Sequence, residues 1–123
     1  MKKYMAIIKM SEKYRGEAPP KPLMDAMGPF VEKGYSSGRI VDTGGLKSSD
    51  TATRFRLEKG KLTVSDGPFT EAKEVIGGWA ILQASTRKEA LETATEFMEL
   101  HRIHWPSLVA TSELFEMDEQ PGA

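Results

Sequence analysis

The two histidines of the chain, His101 and His104, lie three residues apart in the segment Leu-His-Arg-Ile-His-Trp-Pro, residues 100–106. An imidazole titrates near neutral pH, so either ring suits proton exchange with a ligand, with Asp66 as an opposing carboxylate. Two imidazoles at this spacing also suit a shared metal ion, but a metal needs a third ligand, and no residue in the sequence is placed to supply one. No metal is therefore expected. A helix C-terminus, whose last carbonyls lack partners, accounts for both histidines without any chemistry. Trp105 is read either as packing or as a platform for a ligand.

The second chemical segment is Asp66–Gly78, DGPFTEAKEVIGG. Asp66-Gly67-Pro68 forces a tight change of direction, because glycine reaches unusual φ values and proline fixes its own. Thr70 to Val75 fits one helical turn with Glu71 near its positive end. Glu71, Lys73 and Glu74 crowd a short connection, and Gly77-Gly78 permits close backbone approach on re-entering a sheet. Asp66 is equally suited to an Asx turn, and the charged residues to a well-specified loop.

These residues need a scaffold, and the composition limits what it is. The chain has 123 residues, 39% hydrophobic, with 17 Lys+Arg against 18 Asp+Glu and a formal charge of −1. One domain spanning 1–123, with enough apolar content for a core, is expected. The charge balance lacks the basic footprint of a nucleic-acid binder. No apolar run approaches the roughly 20 residues of a membrane helix, and the start lacks the apolar stretch of a signal peptide. The absence of cysteine excludes disulfides and thiol chemistry and suits a cytoplasmic protein.

Tyr4–Met10 is short, apolar and free of breakers, and reads as a strand. Ser11–Pro22, with Gly16 and Pro19-Pro20, reads as a long loop. Leu23, Met27, Phe30 and Val31 mark one helical face, and Gly28-Pro29 within it predicts a break or kink. A short strand within Gly38–Leu46 follows, ending at Gly44-Gly45. Thr53–Glu58 and Lys61–Ser65 form a hairpin turning at Lys59-Gly60. Gly78–Ala84 is a strand apolar on both faces. Thr86 and Glu89 make a capping box for a second helix, with Ala90, Leu91, Ala94, Phe97, Met98 and His101 on its buried face. A strand over Ala110–Met117 completes a β-α-β-β-β-β-α-β order.

Paired strands argue for an α+β fold with a mainly antiparallel sheet, in which the hairpin region adds a strand to a β-α-β-β-α-β core. Two helices cover only one face of such a sheet. Yet Met5/Ile7 and Ala6/Ile8, like Ala80/Leu82 and Trp79/Ile81, are apolar on both faces. A second subunit packed sheet on sheet is the economical cover, so a homodimer is expected. A ligand on the open face is the alternative.

The string DGPFTEAKEVIGGW, together with YMAII, DTGGLKSS and ELHRIHWP, resembles the YCII-related, DGPF-domain family of small bacterial proteins over nearly the whole chain. The resemblance implies a ferredoxin-like β-α-β-β-α-β fold with an extra hairpin that dimerises into an α/β barrel. It also implies a small-molecule pocket whose polar residues include Asp66, Glu71, Lys73 and Glu74. Phe69 and Trp105 are further candidate ligand contacts. Members with the HWP element commonly carry Glu-Val-Arg in the following strand. This chain has Glu113-Leu114-Phe115, so that arginine is absent.

Two functions from different classes are compatible with these residues. One is a cofactor-independent, lyase- or isomerase-like enzyme, with Asp66 as base and His101 or His104 as acid or orienting partner. The other is a non-catalytic ligand-binding or regulatory dimer, in keeping with the association of DGPF proteins with sigma-factor genes. Neither requires a cofactor, nucleic acid or a membrane.

Overall fold

The computed structural model describes residues 1–15 and 18–119. Strand β1 (Lys2–Met10) alternates strictly: Tyr4, Ala6, Ile8 and Met10 are buried, while Met5, Ile7 and Lys9 are half-exposed. This period of two sets the two faces of the sheet. β1 is central, with β5 (Val75–Ala84) on one side and β6 (Ala110–Glu116) on the other, and β2 (Ile40–Gly45) beyond β5. Every pairing is antiparallel. The strand order β2-β5-β1-β6 is consistent with a ferredoxin-like topology.

Two long helices, α2 (Lys21–Ser37) and α3 (Arg87–His104), cover one face. Tyr4, Ala6, Ile40, Leu82, Ala84 and Ala90 form one core cluster, joined by Phe30 and Leu114. Ile8, Met10, Tyr14, Leu23 and Trp105 form a second, nearer the end of α3. α2 lies so close to β2 that a Cβ on Gly34 would sit 2.3 Å from Ile40 Cδ1. Only a residue without a side chain permits this approach.

The α2 helix runs unbroken through Gly28 and Pro29, contrary to the expected break. Both residues are on its solvent side, and Asp25, whose carbonyl Pro29 leaves without an N–H donor, is also exposed. Water reaches that carbonyl in place of the lost N–H, and the packing of the opposite face of α2 offsets what remains of the proline's cost. The loop expected over Ser11–Pro22 contains a short helix, α1 (Glu12–Arg15), and α2 already begins at Lys21; Gly16 lies outside the described residues.

Thr86 caps α3 by accepting the Glu89 N–H at 3.2 Å, while the Glu89 carboxylate accepts the Ser85 N–H at 3.1 Å. The reciprocal box forms, with its return bond one residue earlier than the motif implies. On α3 the buried face is Ala90, Thr93 and His101, flanked by Ala94, Phe97 and Met98; Leu91 is exposed. No helix among the described residues is long and apolar enough to cross a membrane.

The hairpin does not extend the central sheet. β3 (Thr53–Glu58) and β4 (Lys61–Asp66) pair only with each other, turning through Lys59 and Gly60 at φ 50° and 75°. Two successive left-handed residues match the twist of a tight hairpin.

Candidate functional site

The DGPF segment leaves the hairpin at the last β3–β4 pair, Thr53 opposite Asp66. Asp66 is exposed, and its Oδ1 accepts the Thr53 hydroxyl at 3.2 Å. The Gly67 N–H then donates to the Ala52 carbonyl at 2.8 Å. A Cβ on Gly67 would lie 1.7 Å from the Ser49 carbonyl oxygen, so glycine is obligatory at this crossing. The Gly67–Pro68 peptide is cis.

Ser49, buried in the 3-10 turn Ser49–Thr51, is the hub of this region. Its hydroxyl accepts the Phe69 N–H at 2.9 Å and donates to Glu12 Oε2 at 2.9 Å. Its own N–H donates to Glu12 Oε1 at 2.6 Å. A carboxylate with both oxygens engaged by one residue is a charge-assisted clamp. It ties α1, the 3-10 turn and the DGPF loop into one unit.

The charged residues after Phe69 lie outside this clamp. The Arg54 guanidinium sits over the Phe69 ring, 4.0 Å from its centroid, and pairs with the Glu71 carboxylate. Arg54 and a backbone N–H hold the Glu71 carboxyl below the usual carboxylate range. Lys73 and Glu74 are exposed. Residues 70–74 form turns and bends rather than a helical turn, because β5 starts already at Val75.

The histidines belong to a different place. His101 is buried on α3, with its ring 4.5 Å from that of Phe97 and its Nδ1 2.9 Å from the Phe97 carbonyl. A carbonyl only accepts, so Nδ1 carries the proton and Nε2 holds the free lone pair. Burial pushes the imidazole pKa below its ordinary 6.5, although the Phe97 carbonyl opposes the shift. Trp105 ends α3: its N–H donates to the His101 carbonyl at 2.8 Å, and its ring meets Tyr14 edge-on at 5.9 Å. The Tyr14 hydroxyl in turn donates to the Ser107 carbonyl at 3.2 Å. Trp105 is thus a packing residue of the core. His104 is half-buried in the last turn of α3.

His101 and Trp105 line an open cleft of about 750 Å³. Leu23, Met27 and Val31 of α2 form one wall, and Ile8, Met10 and Thr43 of the sheet form another. Lys47, Ser48, Asp50 and Thr51 supply a polar margin. The structure therefore gathers Asp66, Phe69 and Glu71 around the hairpin base, and His101 with Trp105 in the cleft. Asp66 is not among the residues lining that cleft.

The link between the two places is indirect, through residues that sequence reasoning passed over. Ser49 is flanked by Ser48, Asp50 and Thr51 of the cleft margin, and the DGPF loop grips it from behind. Neither Glu12 nor Ser49 carries a motif, and they are 37 residues apart. Arg54 was legible in principle, because strand alternation puts it on one face of the hairpin with Arg56. The cleft wall on α2 is part of the helical face that Leu23, Met27 and Val31 mark in the sequence.

No curated protein matches the chain. A family model described as the YCII-related domain matches residues 2–98. The match runs from β1 through the DGPF loop into α3 and stops before His101, so it covers the clamp and most of the cleft wall. On that match the chain belongs to the YCII-related domain family.

Proposed function

We infer that the chain binds a small, largely apolar organic molecule in the cleft between α2 and the sheet and moves a proton on it without a cofactor. The observation that carries this reading is His101, a buried imidazole in the cleft wall whose Nδ1–H is held by the Phe97 carbonyl. With Nδ1 so engaged, Nε2 is the nitrogen left to accept a proton. A depressed pKa keeps the ring unprotonated at neutral pH, which a general base requires. The volume falls within the roughly 300–1,000 Å³ of small-molecule sites, and apolar walls with a few polar groups are their usual lining.

In this reading the base is His101 rather than Asp66, and the DGPF loop acts by holding Ser49 and the cleft margin beside it. The functional unit is a homodimer. Met5, Ile7, Trp79, Ile81 and Phe115 lie on the sheet face that no helix of the chain covers, with Met5 opposite Ile81 and Phe115 and Ile7 opposite Trp79. Packing two such faces makes the dimeric barrel and shields the apolar strip.

The test is a panel of small cyclic carbon acids, screened by ligand-observed NMR in D2O. Binding with deuterium incorporation, the incorporation lost in His101→Gln, is the expected result. Saturable binding without incorporation favours the non-catalytic binding module. Deuterium incorporation that persists in His101→Gln would remove His101 as the base.

A further inference from the structure

The β3–β4 hairpin has two chemically different faces. Arg54 and Arg56 lie on one, where Arg54 covers Phe69 and pairs with Glu71 of the chain's own DGPF loop. On the other, Phe55 lies opposite Val64 and Leu57 opposite Leu62. These four side chains are between 58% and 74% exposed. The polar face is thus anchored to its own chain, and the apolar face is turned away from it.

Four large apolar side chains so exposed present on the order of 400 Å² of continuous surface, the scale at which a patch marks an interaction site. A two-stranded hairpin is also marginally stable by itself in water. An arm of this kind calls for a constant companion rather than an occasional one.

We propose that the apolar face of the β3–β4 arm docks on a second copy of this chain, each arm covering apolar surface of the other protomer. This goes beyond the sheet-on-sheet dimer proposed above and rests on it. Two features single out a second copy. A two-fold axis uses every patch twice, so two arms and the surfaces beneath them reach the roughly 1,200–2,000 Å² of a stable protein pair. The apolar face also offers no charge to steer a polar partner.

The experiment uses the full chain and a Leu57→Ser, Leu62→Ser variant, which keeps the turn and every backbone bond of the hairpin. Dimer affinity is measured by analytical ultracentrifugation, and amide hydrogen exchange is followed across residues 53–66. The expected result is at least about a tenfold loss of dimer affinity in the variant. Hairpin amides should be protected in the parent dimer and exchange rapidly on dilution to monomer. A variant that dimerises as tightly as the parent, with the hairpin amides unprotected in both, overturns the arm and leaves the sheet interface standing. A parent that is monomeric at micromolar concentration overturns both. Hairpin protection that is independent of concentration places the apolar face against its own chain and also overturns the proposal.

Discussion

The Ser49 hydroxyl accepts the Phe69 amide at 2.9 Å, a bond that helps fasten the DGPF loop to the margin of the cleft. The same hydroxyl donates to Glu12, so its removal leaves both a partly buried amide and a carboxylate oxygen short of a partner. Ser49→Ala should cost about 1–3 kcal/mol, the penalty of orphaned buried polar groups. Urea denaturation reads this directly. Glu71→Gln, whose partner Arg54 is on the surface, should leave the midpoint essentially unchanged. Equal effects from the two substitutions would refute the assignment of Ser49 as the hub.

Gly34 offers a second test, because two physical effects oppose each other there. Alanine is a better helix former than glycine by about 1 kcal/mol. At Gly34, however, the added methyl would meet the Ile40 side chain at 2.3 Å, and overpacking of this kind costs roughly 1–3 kcal/mol. Gly34→Ala should therefore lower the melting temperature in a thermal scan, and an unchanged or higher value would show that Ile40 makes room for the methyl.

His101 gives the stability a pH dependence whose direction is set by burial. Its folded pKa lies below the ordinary 6.5, so the unfolded chain binds the proton more readily. The contribution of the neutral buried ring is complete above pH 6.5 and is lost as the pH falls through the folded value. Stability curves taken from pH 7 downward should fall more steeply for the parent than for His101→Gln. Parallel curves would show that the ring titrates as freely folded as unfolded.

Ile81 lies opposite Met5 and, on its other side, Asp42, on the face that the helices leave bare. Ile81→Lys would place a charge at the centre of the expected interface and should shift the chain to monomer in light scattering, with an unchanged far-UV spectrum. An unaltered mass would count against packing through the sheet.

Most of the scaffold was legible from local pattern. Alternation in Tyr4–Met10, the Lys59-Gly60 turn and the Thr86–Glu89 cap each depend on residues within a few positions of one another. The break expected at Pro29 does not form because the freed Asp25 carbonyl is exposed to water and the packing of the opposite face of α2 offsets the remaining cost of the ring. Leu91 was misplaced for a similar reason, since Ala90 and Thr93 fill the buried stripe instead.

The site was legible only in part. Asp66, the charged residues after it and the histidines were all visible as types capable of chemistry, but type says nothing about company. Asp66 closes the hairpin base and His101 lines the cleft, and the connecting pair, Glu12 and Ser49, lies 37 residues apart in the chain. The sequence by itself determined the elements, their order and the two-faced strands, because these follow from short-range periodicity and backbone preference. Only the tertiary structure decided which polar groups meet, because that depends on how the sheet brings distant segments into hydrogen-bond range.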